Sequence, residues 1–394
     1  MSKGRSRRPC HVFALIAKRA IRTFTVVFLF LASAIAQTPD QAAALEQQQK
    51  WPEAVQVWKA VTARNPTDAA AFASLGVDLA RGQKYGEAAT AYRKALKLNP
   101  KLPGVRLNLG LAEFKQGHFS AAVSAFHSVV AADPSNAQAQ TLLGMSYYGA
   151  KEFDLASQYL EPIAKADPSN AELHQMLAQS CLWAKKLSCA QEEFRLLLQQ
   201  SPDSAPTHEL MGEALDGLGR TQEAIAEFEA AAKISPNEPN LHFGLGYLYW
   251  KSQQYDQARQ EFELELALDP SHAQALAYVG DIEWKNNHPE AAVPLLERAV
   301  KANKDLRIAY VDLGAIALQK KNYKEAEAAL IKAVALEPNQ PDAHYQLGRL
   351  YQAMGKTADA EKELHKVREL HEKADSLVGK MSSSPPALNP AQTQ

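Results

Sequence analysis

Residues 239–272 read PNLHFGLGYLYWKSQQYDQARQEFELELALDPSH, and three of their features recur through the chain at a spacing of 34. The first is a small residue, Gly246 here, in the series Gly76, Gly110, Gly144, Ala178, Gly212, Gly246, Gly280, Gly314, Gly348. The second is Ala258, in the series Ala88, Ala122, Ala156, Ala190, Ala224, Ala258, Ala292, Ala326, Ala360, with Ala54 one step earlier. The third is the dipeptide Asp269-Pro270, which recurs as Asn65-Pro66, Asn99-Pro100, Asp133-Pro134 and Asp167-Pro168, and with Ser or Glu first at 201, 235 and 337. Its one gap is Asn303-Lys304. A length of 394 residues would otherwise suggest two or three globular domains, but a repeat overrides that prior.

The spacing predicts a helical hairpin repeated along the chain. Small residues at two fixed places let two helices cross at close range. Four residues after each Ala stands a larger apolar group: Trp58, Tyr92, Phe126, Leu160, Phe194, Phe228, Phe262, Leu296, Leu330, Leu364. That i, i+4 step puts both on one helix face. Pro stops the second helix, because it lacks an N–H and pushes the residue before it out of the helical region. Each hairpin is apolar on both sides and is buried only by stacking on its neighbours.

On these residues the chain resembles the tetratricopeptide repeat family. Unit 239–272 carries Leu245-Gly246, Tyr249, Ala258, Phe262 and Pro270, and unit 69–102 carries Phe72, Leu75-Gly76, Ala88, Tyr92 and Pro100. The resemblance implies an all-α fold, a right-handed superhelical α-solenoid. Nine full units are expected over 69–374, preceded by a divergent capping repeat at 37–68 that contains WPEAVQVW. Pro162, Pro289 and Pro294 fall in second helices, where Pro294 is expected to cost one hydrogen bond and kink the helix. The last helix is expected to run on through EKADSLVGK, and residues 375–394 to end in a disordered Ser- and Pro-rich tail.

The N-terminal segment reads as an address. Residues 1–36 carry seven bases and no acid, and lead into the apolar run FTVVFLFLASAIA with Ala34 and Ala36 at its end. That is the order of a secretory signal peptide cleaved between Ala36 and Gln37, with an uncleaved inner-membrane anchor as the alternative. Cys10 and His11 stand where a twin-arginine signal would be apolar. The expected destination is the periplasm or the outside of a bacterial cell, with no membrane span after cleavage. The remainder has 36 Lys+Arg against 44 Asp+Glu, a net of −8, which argues against nucleic acid as a partner.

Motifs that carry chemistry are missing: there is no HExxH, no GxSxG and no glycine loop for phosphates. The expectation is therefore a protein with no cofactor and no metal that is not an enzyme. His174, His208, His242 and His344 share one repeat position. Equivalent positions are separated by about a helix spacing of 8–10 Å, too far for one metal, so His is expected to replace an aromatic packing residue. The two cysteines after residue 36, Cys181 and Cys189, flank Lys185 symmetrically. They either form a disulfide in an oxidising compartment or fill a helix interface as small apolar groups.

The resemblance further implies that positions 2, 5, 9, 12 and 13 of each unit line a concave face. Those positions include Leu107, Leu111, Phe114, Met145, Tyr148, Leu182, Trp183, Glu209, Glu213, Asp216, Phe243, Tyr247, Trp250, Asp281 and Trp284. Most are expected to be free of the core, although neighbouring first helices would absorb some of them. Aromatic groups in a concavity anchor protein partners. The fifth positions lack Lys and the ninth lack Asn, so the family's clamp for chaperone C-termini is not expected. The reading is a non-catalytic scaffold in the cell envelope that holds a protein or peptide segment in its groove. The alternatives are an envelope assembly factor for pili or polysaccharide export, and a glycan-binding module.

Overall fold

A computed structural model describes residues 37–383; the expected signal peptide at 1–36 and the tail after Ser383 lie outside the described residues. Twenty α-helices and no strand occur among the described residues. The chain divides after Ala184 into two units. The first holds α1 (Pro39–Gln47), α2 (Trp51–Arg64), α3 (Ala69–Arg81), α4 (Tyr85–Leu98), α5 (Val105–Lys115), α6 (Phe119–Ala132), α7 (Ala137–Gly149), α8 (Phe153–Ala166) and α9 (Ala171–Trp183). The second holds α10 (Leu187–Gln200), α11 (Ala205–Gly217), α12 (Thr221–Ile234), α13 (Leu241–Lys251), α14 (Tyr255–Leu268), α15 (Ala273–Lys285), α16 (Pro289–Ala302), α17 (Arg307–Gln319), α18 (Tyr323–Leu336), α19 (Pro341–Ala353) and α20 (Thr357–Ser383). Within each unit every helix packs on the next, and first helices of successive repeats also touch. This is the all-helical solenoid architecture of stacked hairpins.

The small-residue series has a specific packing partner. A Cβ added to Gly76, Gly110, Gly144, Gly212, Gly246, Gly280, Gly314 or Gly348 would fall within 3.0 Å of the large side chain sixteen residues later. At Gly246 the partner is the Phe262 ring, which is fully buried. The glycine is thus the floor on which the ring of the second helix lies, with Ala258 closing the seat from the ring's own helix.

Second helices end in a turn built by the residue before Pro. The Asp269 N–H donates to the Glu265 carbonyl, and Asp269 Oδ1 accepts from the Ser271 amide at 2.9 Å and the Ser271 hydroxyl at 2.7 Å. This turn explains the Asn/Asp preference. It also forms at Asn303-Lys304, where Asn303 Oδ1 accepts from the Asp305 amide at 2.9 Å, so Pro is dispensable there. Pro289 is the first residue of α16, and the helix continues unbroken past Pro294. An opening Pro is favourable, because no N–H is needed at that position.

The turn inside each hairpin shows a feature the sequence hides. Gln49, Gln83, Gly117, Lys151, Lys185, Gly219, Gln253, Asn287, Lys321 and Gly355, again 34 apart, all have φ between 58° and 76°. Glycine occupies only three of these left-handed positions, so composition does not reveal the series. A left-handed non-glycine residue carries about 1 kcal/mol of strain, which the packed hairpin absorbs.

The histidine position is polar-bonded as well as packed. His242 Nδ1 lies 2.6 Å from Glu261 Oε2 on the second helix of its repeat, and its Nε2 lies 2.8 Å from the Pro236 carbonyl that ended the preceding repeat. His208 repeats this with Glu227 and Pro202, and His344 with Glu363 and Pro338. The ring therefore ties three segments, a role that Phe at this place could not fill. Pro168, His174 and Glu193 have the same spacing in the sequence.

Gly246→Leu is expected to destabilise the protein by about 1–3 kcal/mol or more, since the ring seat has no room for a side chain. Gly219→Ala is expected to cost only about 1 kcal/mol, because that site is spatially open and the penalty is conformational. Chemical denaturation of the two variants checks this order; a milder effect of Gly246→Leu would overturn the seat as the dominant constraint.

Candidate functional site

The residues expected on the concave face fall into one set in each unit. In the first unit, Leu107 and Leu111 lie one turn apart on α5 and line different hollows, of about 380 and 490 Å³. Phe114 packs edge-on against Phe119, with centroids 5.5 Å apart. Tyr148, Phe153 and Trp183 form a second ring group, with Trp183 stacked on Tyr148 at 6.1 Å and 4.6 Å from Phe153. Trp183 is 45% exposed, the most accessible aromatic group of this set. The Tyr148 hydroxyl donates to Gln179 Oε1 of α9, which fixes the ring across two repeats. Leu182 differs from its expectation: it is buried, because it faces the interior of the repeat.

In the second unit the expected residues converge on α11 and α13. Glu209, Glu213 and Asp216 of α11 face Phe243, Gly244 and Tyr247 of α13 across a hollow of about 270 Å³. Gly244 has a packing reason of its own, since a Cβ there would meet Phe228 at 2.5 Å. Burial pushes the Glu209 carboxyl upward from the ordinary carboxylate range, and the charges of Glu213 and Glu238 add to this. Glu213 is likewise raised by burial, while Lys185 pulls it down. Asp216 is compensated: it accepts from Lys251 Nζ at 2.7 Å and from the Thr221 hydroxyl at 3.3 Å. The three acids are thus not alike. Lys251 of α13 bonds Asp216 and the charge of Lys185, in the turn before α10, acts on Glu213, whereas Glu209 has acidic neighbours.

Behind this hollow runs an aromatic seam. Tyr278 of α15, outside the expected positions, lies 6.0 Å from Phe243, 5.7 Å from Tyr247, 4.9 Å from Trp250 and 5.4 Å from Phe262. Phe243 also approaches the buried Phe262 at 5.7 Å. These groups are therefore half core and half surface, a correction to the expectation that they stand free of the packing. The physical reason is that first helices of adjacent repeats pack side by side, and large rings on the inward face fill the seam between them. Ala277 at the expected inward position is too small to do so, and its neighbour Tyr278 takes the space. Nothing in the repeat register marks Tyr278.

Polar groups fasten the seam. The Trp250 indole N–H donates to Asp281 Oδ2 at 2.6 Å, and Lys285 Nζ lies 2.5 Å from Asp281 Oδ1 and 4.8 Å from the Trp250 ring centre. Asp281 is buried, so it is a structural acceptor and not a groove residue. Trp284 packs against the core of α15 to α17. Glu265 is buried too, and its carboxylate accepts from the amides of Asn240 at 3.0 Å and Phe243 at 3.2 Å. It caps the start of α13, where Asn240 is left-handed and offers no side-chain cap. Among the described residues, no group of three or more His, Cys, Asp or Glu is placed to hold a metal. No helix among them is long and apolar enough to cross a membrane.

Tetratricopeptide repeat profiles match residues 147–214, 217–277 and 317–381, others of the same repeat match 107–171 and 279–343, and a further TPR repeat profile matches 78–117. No curated protein matches the chain. Similar solved structures include MamA from Desulfovibrio magneticus RS-1, at 24% identity over 44% of this chain and 97% of that one, with a TM-score of 0.40. YrrB, described as a TPR protein with an unusual peptide-binding site, is similar at 22% identity over 46% of this chain and 93% of its own, with a TM-score of 0.37. A chain of the APC/C hetero-tetramer Cut9-Hcn1 is similar at 14% identity over 84% of this chain and 79% of its own, with a TM-score of 0.49. These likenesses are distant, whereas the profiles between them reach from residue 78 to residue 381. With that reach, the 34-residue register and the ring seats on glycine, the chain belongs to the tetratricopeptide repeat family.

Proposed function

We propose that the protein is a non-catalytic interaction scaffold whose second unit holds an extended partner segment against α11 and α13. The observation that carries this is the hollow between them, acidic on one wall and aromatic on the other. A segment bearing Lys or Arg beside an apolar residue suits both walls. Its cation meets Glu209 and Glu213, and its apolar neighbour covers Phe243 and Tyr247, whose edges are already fixed by Tyr278. Because the rings are pre-packed, little side-chain freedom is lost when the partner arrives.

The double variant Glu209→Gln plus Glu213→Gln is expected to weaken binding of basic-apolar peptides about tenfold at low salt, while melting stays level or rises as repulsion is relieved. Phe243→Ala is expected to lower both binding and stability, because the ring also packs on Phe262. A peptide array read at low and physiological ionic strength checks the idea. Equal binding of acidic and basic segments, or affinity indifferent to salt, would overturn it.

The protein is further proposed to act outside the cytoplasm, beginning at Gln37 after cleavage behind Ala36. The basic, apolar and small-residue order of residues 1–36 supports this, as does the start of α1 at Pro39, just beyond the cleavage point. In that compartment Cys181, near the end of α9, and Cys189, in the first turn of α10, are proposed to bridge. N-terminal sequencing of the mature protein is expected to read Gln37, and thiol labelling of the denatured, non-reduced form to find no free thiol. An intact leader on the major species would refute export with cleavage, and two labelled thiols would refute the bridge.

A further inference from the structure

We propose that a proton shared between Asp78 and Glu46 latches the N-terminal helix α1 onto the first unit, and that losing this proton releases the helix. The starting point is the dependence of α1 on others. It has nine residues, too few to be stable alone in water, and it packs on α2. Its contribution to the core is Ala42, with Leu45 half-buried beside it. Glu46, one residue before its end, reaches across to Asp78 of α3.

The surroundings of this pair require a proton. Asp78 is 0% exposed, and neither of its carboxylate oxygens has a well-formed hydrogen bond. The nearby Trp58 indole N–H of α2 is given to Glu46, at 2.9 Å. Two ionised carboxylates are acceptors only, so they repel when brought together away from water. If Asp78 is protonated, its O–H donates to Glu46 and one bond replaces the repulsion. Burial raises the Asp78 carboxyl to about 7, with the charge and bond of Glu46 adding to it, while Arg81 and Trp58 pull the other way. The facing groups are therefore Glu46 from α1, the Trp58 indole from α2, Arg81 from α3 itself and Tyr92 from α4. Arg81 is held 4.4 Å over the Trp51 ring, and burial lifts the Tyr92 phenol to about 12, so the phenol does not change charge near neutrality.

The sign follows from the raised carboxyl. With α1 away, Asp78 moves toward the ordinary carboxylate range near 4. Docking is then fully favoured below about pH 4, weakens by up to tenfold per pH unit between about 4 and 7, and is level above that. Release of α1 uncovers the apolar side of Trp58 and the core that Ala42 and Leu45 had covered.

The test is hydrogen-exchange protection of the amides of α1 in the mature full chain, each measured against its own intrinsic rate at pH 5.0 and at pH 7.5. The wild type is expected to lose protection in α1 by tenfold or more between the two. Asp78→Asn and Glu46→Gln each supply a permanent N–H donor and are expected to hold protection level. Equal wild-type protection at both pH values overturns the latch. So does the same loss in the amide variants, which would place the titration elsewhere. Should Asp78→Asn disturb the core, Glu46→Gln at the half-buried partner decides the question alone.

Discussion

The array depends on one contact: a large apolar side chain of a second helix laid flat on a glycine of the first. Every glycine of that series in either unit would bring a Cβ to within 3.0 Å of its partner. The contact fixes how far apart two helices sit and how they are rotated about their axes. It also fixes the sixteen-residue offset between the partners, which leaves only a short turn between the helices. That offset forces the left-handed residue in the turn, and the strain is accepted because the ring seat holds the hairpin closed. Burial of apolar area supplies the driving force, but the seat selects one geometry among many that would bury similar area.

Stacking such hairpins creates a second layer of contacts, and this layer is where individuality enters. The inward face of the first helices serves both the seam between repeats and the surface offered to a partner. The Tyr247, Trp250 and Tyr278 group shows the overlap, since the rings that are exposed on one edge pack on each other along the other. Rigid, half-buried rings are good anchors for that reason: their conformational entropy has already been lost on folding.

Buried acids recur where repeats meet, and the same solution appears in both units. Glu46 accepts from the Trp58 indole beside the raised carboxyl of Asp78, and Asp281 accepts from the Trp250 indole beside Asp312. Burial, reinforced by the charge of Asp281, holds the Asp312 carboxyl well above its ordinary range. In each pair one carboxylate accepts from an indole N–H, while burial favours the protonated form of the other.

Much of this architecture is present in the sequence itself. The positions of the glycines, alanines and prolines determine the repeat, the helix pairs and their lengths, because small residues, helix stops and apolar spacing act locally and in register. The acids Glu209, Glu213 and Asp216 and the rings Phe243, Tyr247 and Trp250 are also legible as inward positions. What the tertiary structure alone decided is how those positions divide between core and surface. Leu182 and Asp281 turn inward, Trp284 joins the core, Lys251 crosses from α13 to Asp216, and Tyr278 enters the seam from a position without a register signal. The proton between Glu46 and Asp78 belongs to the same class, since the two residues are 32 apart in the chain and neither is unusual there. Burial and charge are properties of what surrounds a side chain, and those surroundings come from neighbouring repeats that no local pattern specifies.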